Sequence, residues 1–218
     1  MTAIIQGSPE WHALRCGKVT ASKIADLLAK TKAGWGASRA NYRAQLVAER
    51  LTGTVEKTYT NAAMEWGSAT EAEAADAYAF YCDAEIAKVG FVVHPCIPMA
   101  GASPDRLVDN DGLIEVKCPN TATHLETLLG GTIPGKYVHQ MMFQMACTGR
   151  AWCDFVSYDP RMPEHMRMFD RRLDRDDKRI AEIEQEVLAF LAEVDDTVAK
   201  LRKAYPEPTF SSRSGVKP

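Results

Sequence analysis

The chain has 218 residues, 46% of them hydrophobic, enough for one sizeable core. No run reaches the roughly 18 to 20 apolar residues of a membrane span, and the opening MTAIIQGSPEW has neither the basic start nor the apolar stretch of a signal peptide. A net charge of −3 argues against non-specific coating of nucleic acid, but not against an enzyme that gathers its positive charge on one surface.

Taken in chain order, Thr20 to Lys30 reads as a short helix, with a capping residue ahead of Ile24, Leu27 and Leu28. Arg39 to Leu51 places Tyr42, Leu46 and Val47 at helical spacing and stops at Thr52-Gly53. Asn61 to Cys82 is alanine-rich and helical, with Gly67 a weak point that moves the expected start toward Ser68. The character then changes. Gly90–His94, Met99–Asp105 and Leu113–Cys118 read as strands, the last two joined through the turn residues Asp109-Asn110-Asp111-Gly112. Gly135–Cys147 reads as a helix and Trp152–Tyr158 as a strand. From Asp174 to Lys203, Ile180, Ile183, Val187, Leu191, Val194, Val198 and Leu201 recur at spacings of three and four, giving one long amphipathic helix. The end, from 205 to 218, is rich in proline and serine and reads as a frayed tail. Helices flanking a run of strands give an α/β class with a mixed central sheet.

The six cysteines (Cys16, Cys82, Cys96, Cys118, Cys147 and Cys153) show no CxxC pair and read as reduced thiols of a cytoplasmic protein. The five histidines are isolated, without metal-ligand spacing. Trp11 reads as a packing residue, and Met141, Met142 and Met145 as filler of a helix core.

Chemistry concentrates in Asp105, followed after nine residues by Glu115-Val116-Lys117. Alternation along a strand puts Glu115 and Lys117 on one face and the anchoring Ile114 and Val116 on the other. If the Asp109–Gly112 turn closes a hairpin, Asp105 returns beside Glu115, and two carboxylates meet one amine. Phosphodiester hydrolysis uses such a set: hard oxygen ligands for Mg²⁺ and a lysine that orients or deprotonates water and offsets developing charge. Glu71 shares a helical face with Ala74, Ala75 and Tyr78, where a lone carboxylate is costly without a partner. On pattern alone, the same residues also fit an exposed strand face.

Flanking residues narrow the choice. Gln6-Gly7-Ser8 and Trp11-His12-Ala13-Leu14-Arg15 with Gly17 and Thr20-Ala21-Ser22, Trp66-Gly67 with Glu71, and Ala102-Ser103-Pro104-Asp105 run in order along the chain. They are followed by Glu115-Val116-Lys117-Cys118-Pro119, Tyr137 with Gln140, and Tyr158-Asp159-Pro160-Arg161-Met162. This series resembles the lambda exonuclease family, the phage-type alkaline exonucleases of the PD-(D/E)xK superfamily. The resemblance implies a restriction-endonuclease-like core in a single nuclease domain over 1–204. It implies Asp105, Glu115, the Val116 carbonyl and Glu71 as ligands of Mg²⁺ (Mn²⁺ as a substitute), with Lys117 catalytic. Arg15, Ser22, Ser103 and Gln140 would hold the DNA 5′-phosphate, with Tyr137 supporting Gln140 or Lys117 and Met64 as an apolar wedge at the terminal base pair. Arginine's planar fork suits phosphate, and Ser22 near a predicted helix start suits an anion.

The implied activity is 5′→3′ digestion of one strand of linear double-stranded DNA, leaving 3′ single strands for phage-type recombination. The family further implies a homotrimeric ring, a single-strand annealing partner, and residence in the cytoplasm of a bacterium or phage-infected host. In the family's glutamine-bearing helix a second glutamine often follows two residues on; here that position is Met142, with Gln144 further along. A structure-specific or restriction-like endonuclease, and a non-catalytic DNA-end-binding subunit, stand as alternatives.

Overall fold

The computed structural model describes residues 4–55 and 62–206. Helix α1 (Pro9–Arg15) starts at Ser8, whose Oγ accepts from the Trp11 amide at 3.2 Å, while Pro9 fills a first-turn position that needs no donor. After β1 (Val19–Thr20), a single 3₁₀ turn over Ala21–Lys23 leads into α2 (Ile24–Leu27). The helix expected over Thr20 to Lys30 is therefore shorter, because Lys30 already opens the small hairpin β2 (Lys30–Thr31) and β3 (Gly34–Trp35). Helix α3 (Ala37–Thr52) ends as its sequence demands, on a left-handed Gly53 with φ 69°.

Helix α4 (Ala62–Cys82) continues through Gly67 and does not begin near Ser68. Packing outweighs glycine's poor helix propensity: Ala74, Ala75 and Tyr78 are buried against the sheet. The strands β4 (Ile86–Ala87), β5 (Val92–Val93), β6 (Ala100–Ala102), β7 (Arg106–Val108) and β8 (Gly112–Lys117) follow. Next come α5 (Thr121–Gly130), α6 (Gly135–Thr148), β9 (Trp152–Tyr158), β10 (Met168–Asp174) and α7 (Asp177–Ala204).

The strand expected over Met99 to Asp105 is split. Pro104, which has no amide to give a ladder, sits in a bend at Ser103–Asp105. Before the bend, β6 lies between β1 and β5 in a three-stranded sheet; after it, β7 joins the sheet ordered β10-β9-β8-β7-β4. That sheet is mixed, β8 and β9 running parallel and the other neighbours antiparallel. The hairpin register pairs Arg106 with Ile114 and Val108 with Gly112 across the Asp109–Asp111 turn.

Core packs on both faces of the five-stranded sheet. Leu113, Cys153 and Phe155 meet α2, α3, α6 and α7 on one side, while Val108, Ile114, Val116 and Val156 meet α4 on the other. The long α7 starts from the Asp176 cap and buries Ile180, Ile183, Val187, Phe190, Leu191, Val194 and Val198. Leu201 remains 36% exposed at its far end. The architecture is the expected α/β arrangement of a mixed sheet flanked by helices, with a long C-terminal helix. No described helix is long and apolar enough to cross a membrane. The tail beyond Pro206 and the Met64 side chain lie outside the described residues.

Candidate active site

Strand β8 places Glu115 on the face covered by α6, where its side chain is only 1% exposed. An ionised carboxylate there is tolerable only if its oxygens are hydrogen-bonded. They are: Lys117 Nζ and Gln140 Nε2 both donate to Oε1, the latter at 2.6 Å, and Gln144 Nε2 donates to Oε2 at 2.5 Å. Tyr137, Gln140 and Gln144 stand at i, i+3 and i+7, so one face of α6 presents all three to the strand. Lys117 Nζ lies 5.2 Å from the Tyr137 ring centroid, a cation–π contact, and Tyr137 in turn stacks on Phe155. Of the two residues Tyr137 was expected to support, the ring contact is with Lys117.

Asp105 enters from the bend before β7, one residue beyond the Arg106–Ile114 pair. Its Oδ2 accepts from the Val116 amide at 2.6 Å. Burial first, and then the facing Glu115 carboxylate, hold Asp105 well above the usual carboxylate range, against the pull of Lys117 and the Val116 amide. Burial works against the Lys117 ammonium, but Glu115 and Asp105 outweigh it and push its pKa up. Lys117 therefore keeps its proton here, which suits it to orient and neutralise.

Glu71 reaches this cluster from α4. Its Oε1 accepts from Arg106 Nη1 at 3.1 Å, so Arg106 is the partner that its apolar helix face required. The same nitrogen donates to the Asp105 carbonyl at 2.5 Å. Nothing in the motif reading pointed to Arg106; the signal was a basic residue directly after Asp105, on the strand face toward α4.

A second group lies along the N-terminal segment. The Arg15 guanidinium covers the Trp11 ring at 3.7 Å, and Trp11 Nε1 donates to Ser103 Oγ at 2.9 Å. Gln6 Nε2 donates to the carbonyls of Val89 and Pro104, each at 2.8 Å. Arg15 and Ser103 are thus joined through Trp11, beside the bend that carries Asp105. Arg15 has no carboxylate partner among the described residues, and burial lowers its pKa against the opposing fields of Tyr42 and Glu49. Gly17, left-handed at φ 68°, donates its amide to buried Glu49 at 2.7 Å and receives Arg50 Nε on its carbonyl at 2.9 Å.

Ser22 stands apart. It is exposed on the one-turn 3₁₀ segment, 3.4 Å from Thr20 Oγ1, so the helix start expected to favour an anion there is a single turn. Gln140 is engaged with Glu115, and no hydrogen bond among the described residues joins it to Arg15, Ser22 or Ser103.

Among the described residues, no three His, Cys, Asp or Glu side chains are grouped as a ready metal cage. The chemistry of the donors nevertheless fits a hard divalent cation. Asp105 lies close enough to Glu115 for that carboxylate, after burial, to raise its pKa, and Asp105 Oδ1 accepts no hydrogen bond among the described residues. Glu115 Oε2, with one donor, keeps a lone-pair direction open.

No curated protein sequence matches the chain. Among solved structures, an alkaline exonuclease (LHK-Exo) from Laribacter hongkongensis is 51% identical, with a TM-score of 0.85 over 90% of this chain and 97% of that one. The same protein in complex with dAMP matches equally. A phage-related exonuclease from Haemophilus somnus 129PT shares the fold at 16% identity, with a TM-score of 0.67 over 84% of this chain and 96% of that one. Residues 10–151 match the YqaJ-like viral recombinase domain, a span that holds Asp105, the β7–β8 hairpin, α6 and all but the first residue of α1. The chain belongs to the YqaJ-like viral recombinase family, in agreement with its resemblance to the lambda exonucleases.

Proposed function

We propose that this chain is a divalent-metal-dependent exodeoxyribonuclease that digests one strand of linear duplex DNA from a 5′-phosphorylated end, leaving a 3′ single strand for recombination by annealing. Its membership of a recombinase family and its kinship with an alkaline exonuclease make it a nuclease acting on DNA. The observation that carries the finer reading is the convergence of Asp105, Glu115 and Lys117 where β7 gives way to the Ser103–Asp105 bend.

In this reading Asp105 and Glu115 hold the metal, Mg²⁺ or its substitute Mn²⁺, with Glu71 and the Val116 carbonyl completing the set. When bound, such an ion polarises the phosphoryl oxygens and acidifies a water. The chain's own residues supply the rest. Gln140 donates to the Glu115 carboxylate. Lys117 places its ammonium beside the reacting phosphate. Arg15, half-buried and without a carboxylate partner among the described residues, offers its guanidinium to the terminal 5′-phosphate together with Ser103, while Ser22 and Met64 contact the DNA end. A homotrimer encircling the duplex and a single-strand annealing protein complete the proposal.

The test is end-labelled linear duplex incubated with Mg²⁺. Lys117→Ala is expected to lower kcat by about 10²- to 10³-fold, the scale of losing one charge-stabilising donor, with an unchanged circular dichroism spectrum. Retained turnover refutes the site. Arg15→Ala is expected to erase the preference for 5′-phosphorylated over unphosphorylated ends; equal rates on both in the wild type count against the pocket. Cutting of closed circular DNA would select the endonuclease alternative instead.

A further inference from the structure

Gln144 is buried to 0% exposure inside the core between α6 and the sheet, an unusual place for an amide. Its Nε2 donates to Glu115 Oε2 at 2.5 Å, and its Oε1 faces the Cys153 thiol, which donates at 3.9 Å. These partners fix the amide's orientation, since a carboxylate accepts and a thiol gives. Gln140 serves the other oxygen, Oε1, together with Lys117.

Helix geometry explains why this residue stands at 144. A step of four residues turns about 40° beyond a full circle, so Gln140 and Gln144 share the strand-facing side. A step of two turns about 200°, and Met142 accordingly packs into the hydrophobic cluster on the other side of the helix. A glutamine at 142 could not reach Glu115 from this helix.

We propose that Gln144 is a positioning residue of the metal site: it fixes the Glu115 carboxylate through Oε2 and leaves that oxygen capacity for a further partner. This rests on the metal-dependent reading of the site given above. An isolated carboxylate in this core would rotate to favour Lys117, its nearest cation; two amides four residues apart on one helix pin both oxygens at once. Partners of this kind, one step removed from the ion, are worth roughly 10- to 100-fold in metal affinity.

The experiment measures Mn²⁺ binding by titration calorimetry on the full-length, metal-free chain, wild type against Gln144→Met, which matches the side chain's length but cannot donate. The expected result is a Kd weakened by about 10- to 100-fold, with the KM for linear duplex changed less than about threefold. Steady-state kinetics at saturating Mn²⁺ should recover most of the wild-type kcat, which a collapsed core would not allow. Unchanged Mn²⁺ affinity in Gln144→Met overturns the proposal and leaves the nuclease reading intact. Absence of Mn²⁺ binding to the wild type overturns both. Should Gln144→Met fail to fold, Gln144→Asn keeps a buried amide one methylene short of Glu115, and the same weakening is expected; full affinity in that variant overturns the proposal.

Discussion

Asp105→Asn is expected to stabilise the metal-free protein while abolishing hydrolysis. The cluster sets three carboxylates, Asp105, Glu115 and Glu71, against two cations, Lys117 and Arg106. Asparagine preserves the contact with the Val116 amide through its carbonyl oxygen and removes one negative charge. At an effective dielectric near 20, two carboxylates roughly 4 to 8 Å apart repel by about 2 to 4 kcal/mol. The lost attraction to Lys117 offsets part of this, so the net gain is about 1 to 2 kcal/mol, which corresponds to roughly 3 to 6 °C in Tm for a chain of this size. The pH dependence has a definite sign. Asp105 titrates above its unfolded value of 3.8, so folding is favoured below that value and penalised as pH rises through the folded pKa. The advantage of the variant therefore opens above about pH 4 and closes in acid. Thermal melts of both proteins in EDTA across this range, repeated with Mg²⁺, make the check. Mg²⁺ should raise the wild-type Tm, by about 2.7 kcal/mol of linkage at 100 times Kd, and leave the variant unmoved. A variant less stable than wild type in EDTA at pH 8 would refute the like-charge reasoning.

Two further substitutions probe the scaffold of the site. Arg106→Gln strips the cation from Glu71 and the Asp105 carbonyl and should cost about 2 to 3 kcal/mol in EDTA, by breaking a half-buried charged contact; Mg²⁺ should reduce that cost in urea titrations. Gly17→Ala forces a left-handed alanine whose Cβ would stand 2.7 Å from Arg50 Cγ, in contact with the side chain that caps the Gly17 carbonyl. A loss of about 2 to 4 kcal/mol by chemical denaturation is expected, with a raised KM for phosphorylated ends because Arg15 lies two residues away.

Much of this arrangement was legible because long periodic segments speak clearly. The stripe of α7 came through except at Leu201, which is exposed, and at Phe190, which is buried and was not read; the Tyr42–Leu46–Val47 face of α3 and the strand Trp152–Tyr158 came through, and the strand alternation correctly set Glu115 and Lys117 apart from Ile114 and Val116. Of the two- and three-residue strands, β5 and β6 fall inside the segments Gly90–His94 and Met99–Asp105 that read as strands, whereas β1, β2, β3, β4 and β7 were illegible, since so short a run has no period to detect. Helix α1 went unread although Ser8-Pro9 is a helix-start signature, and α5 likewise, although Asn120 caps it and Gly131 ends it. Edge strand β10 hid behind its charges, with Asp170, Arg171, Arg172 and Asp174 masking the inward Phe169 and Leu173. The turn residues foretell the approach of Asp105 to Glu115, but not its register: the Arg106–Ile114 pair sets Asp105 one step further along the hairpin, beside Glu115. Gln144 and Arg106 were missed as site contacts because each acts across a packing interface that only tertiary structure creates.

The Gln6 side chain grips two carbonyls at once, and Trp11 holds Ser103, so the chain's first helix works as a buckle over the loop that delivers Asp105. Damage to that fastening, by proteolysis within the first dozen residues or by a bulky fusion pressed against Trp11, should loosen a carboxylate some ninety positions downstream. The beginning of the chain is thereby tied to the proposed metal site as directly as the strand that bears Lys117.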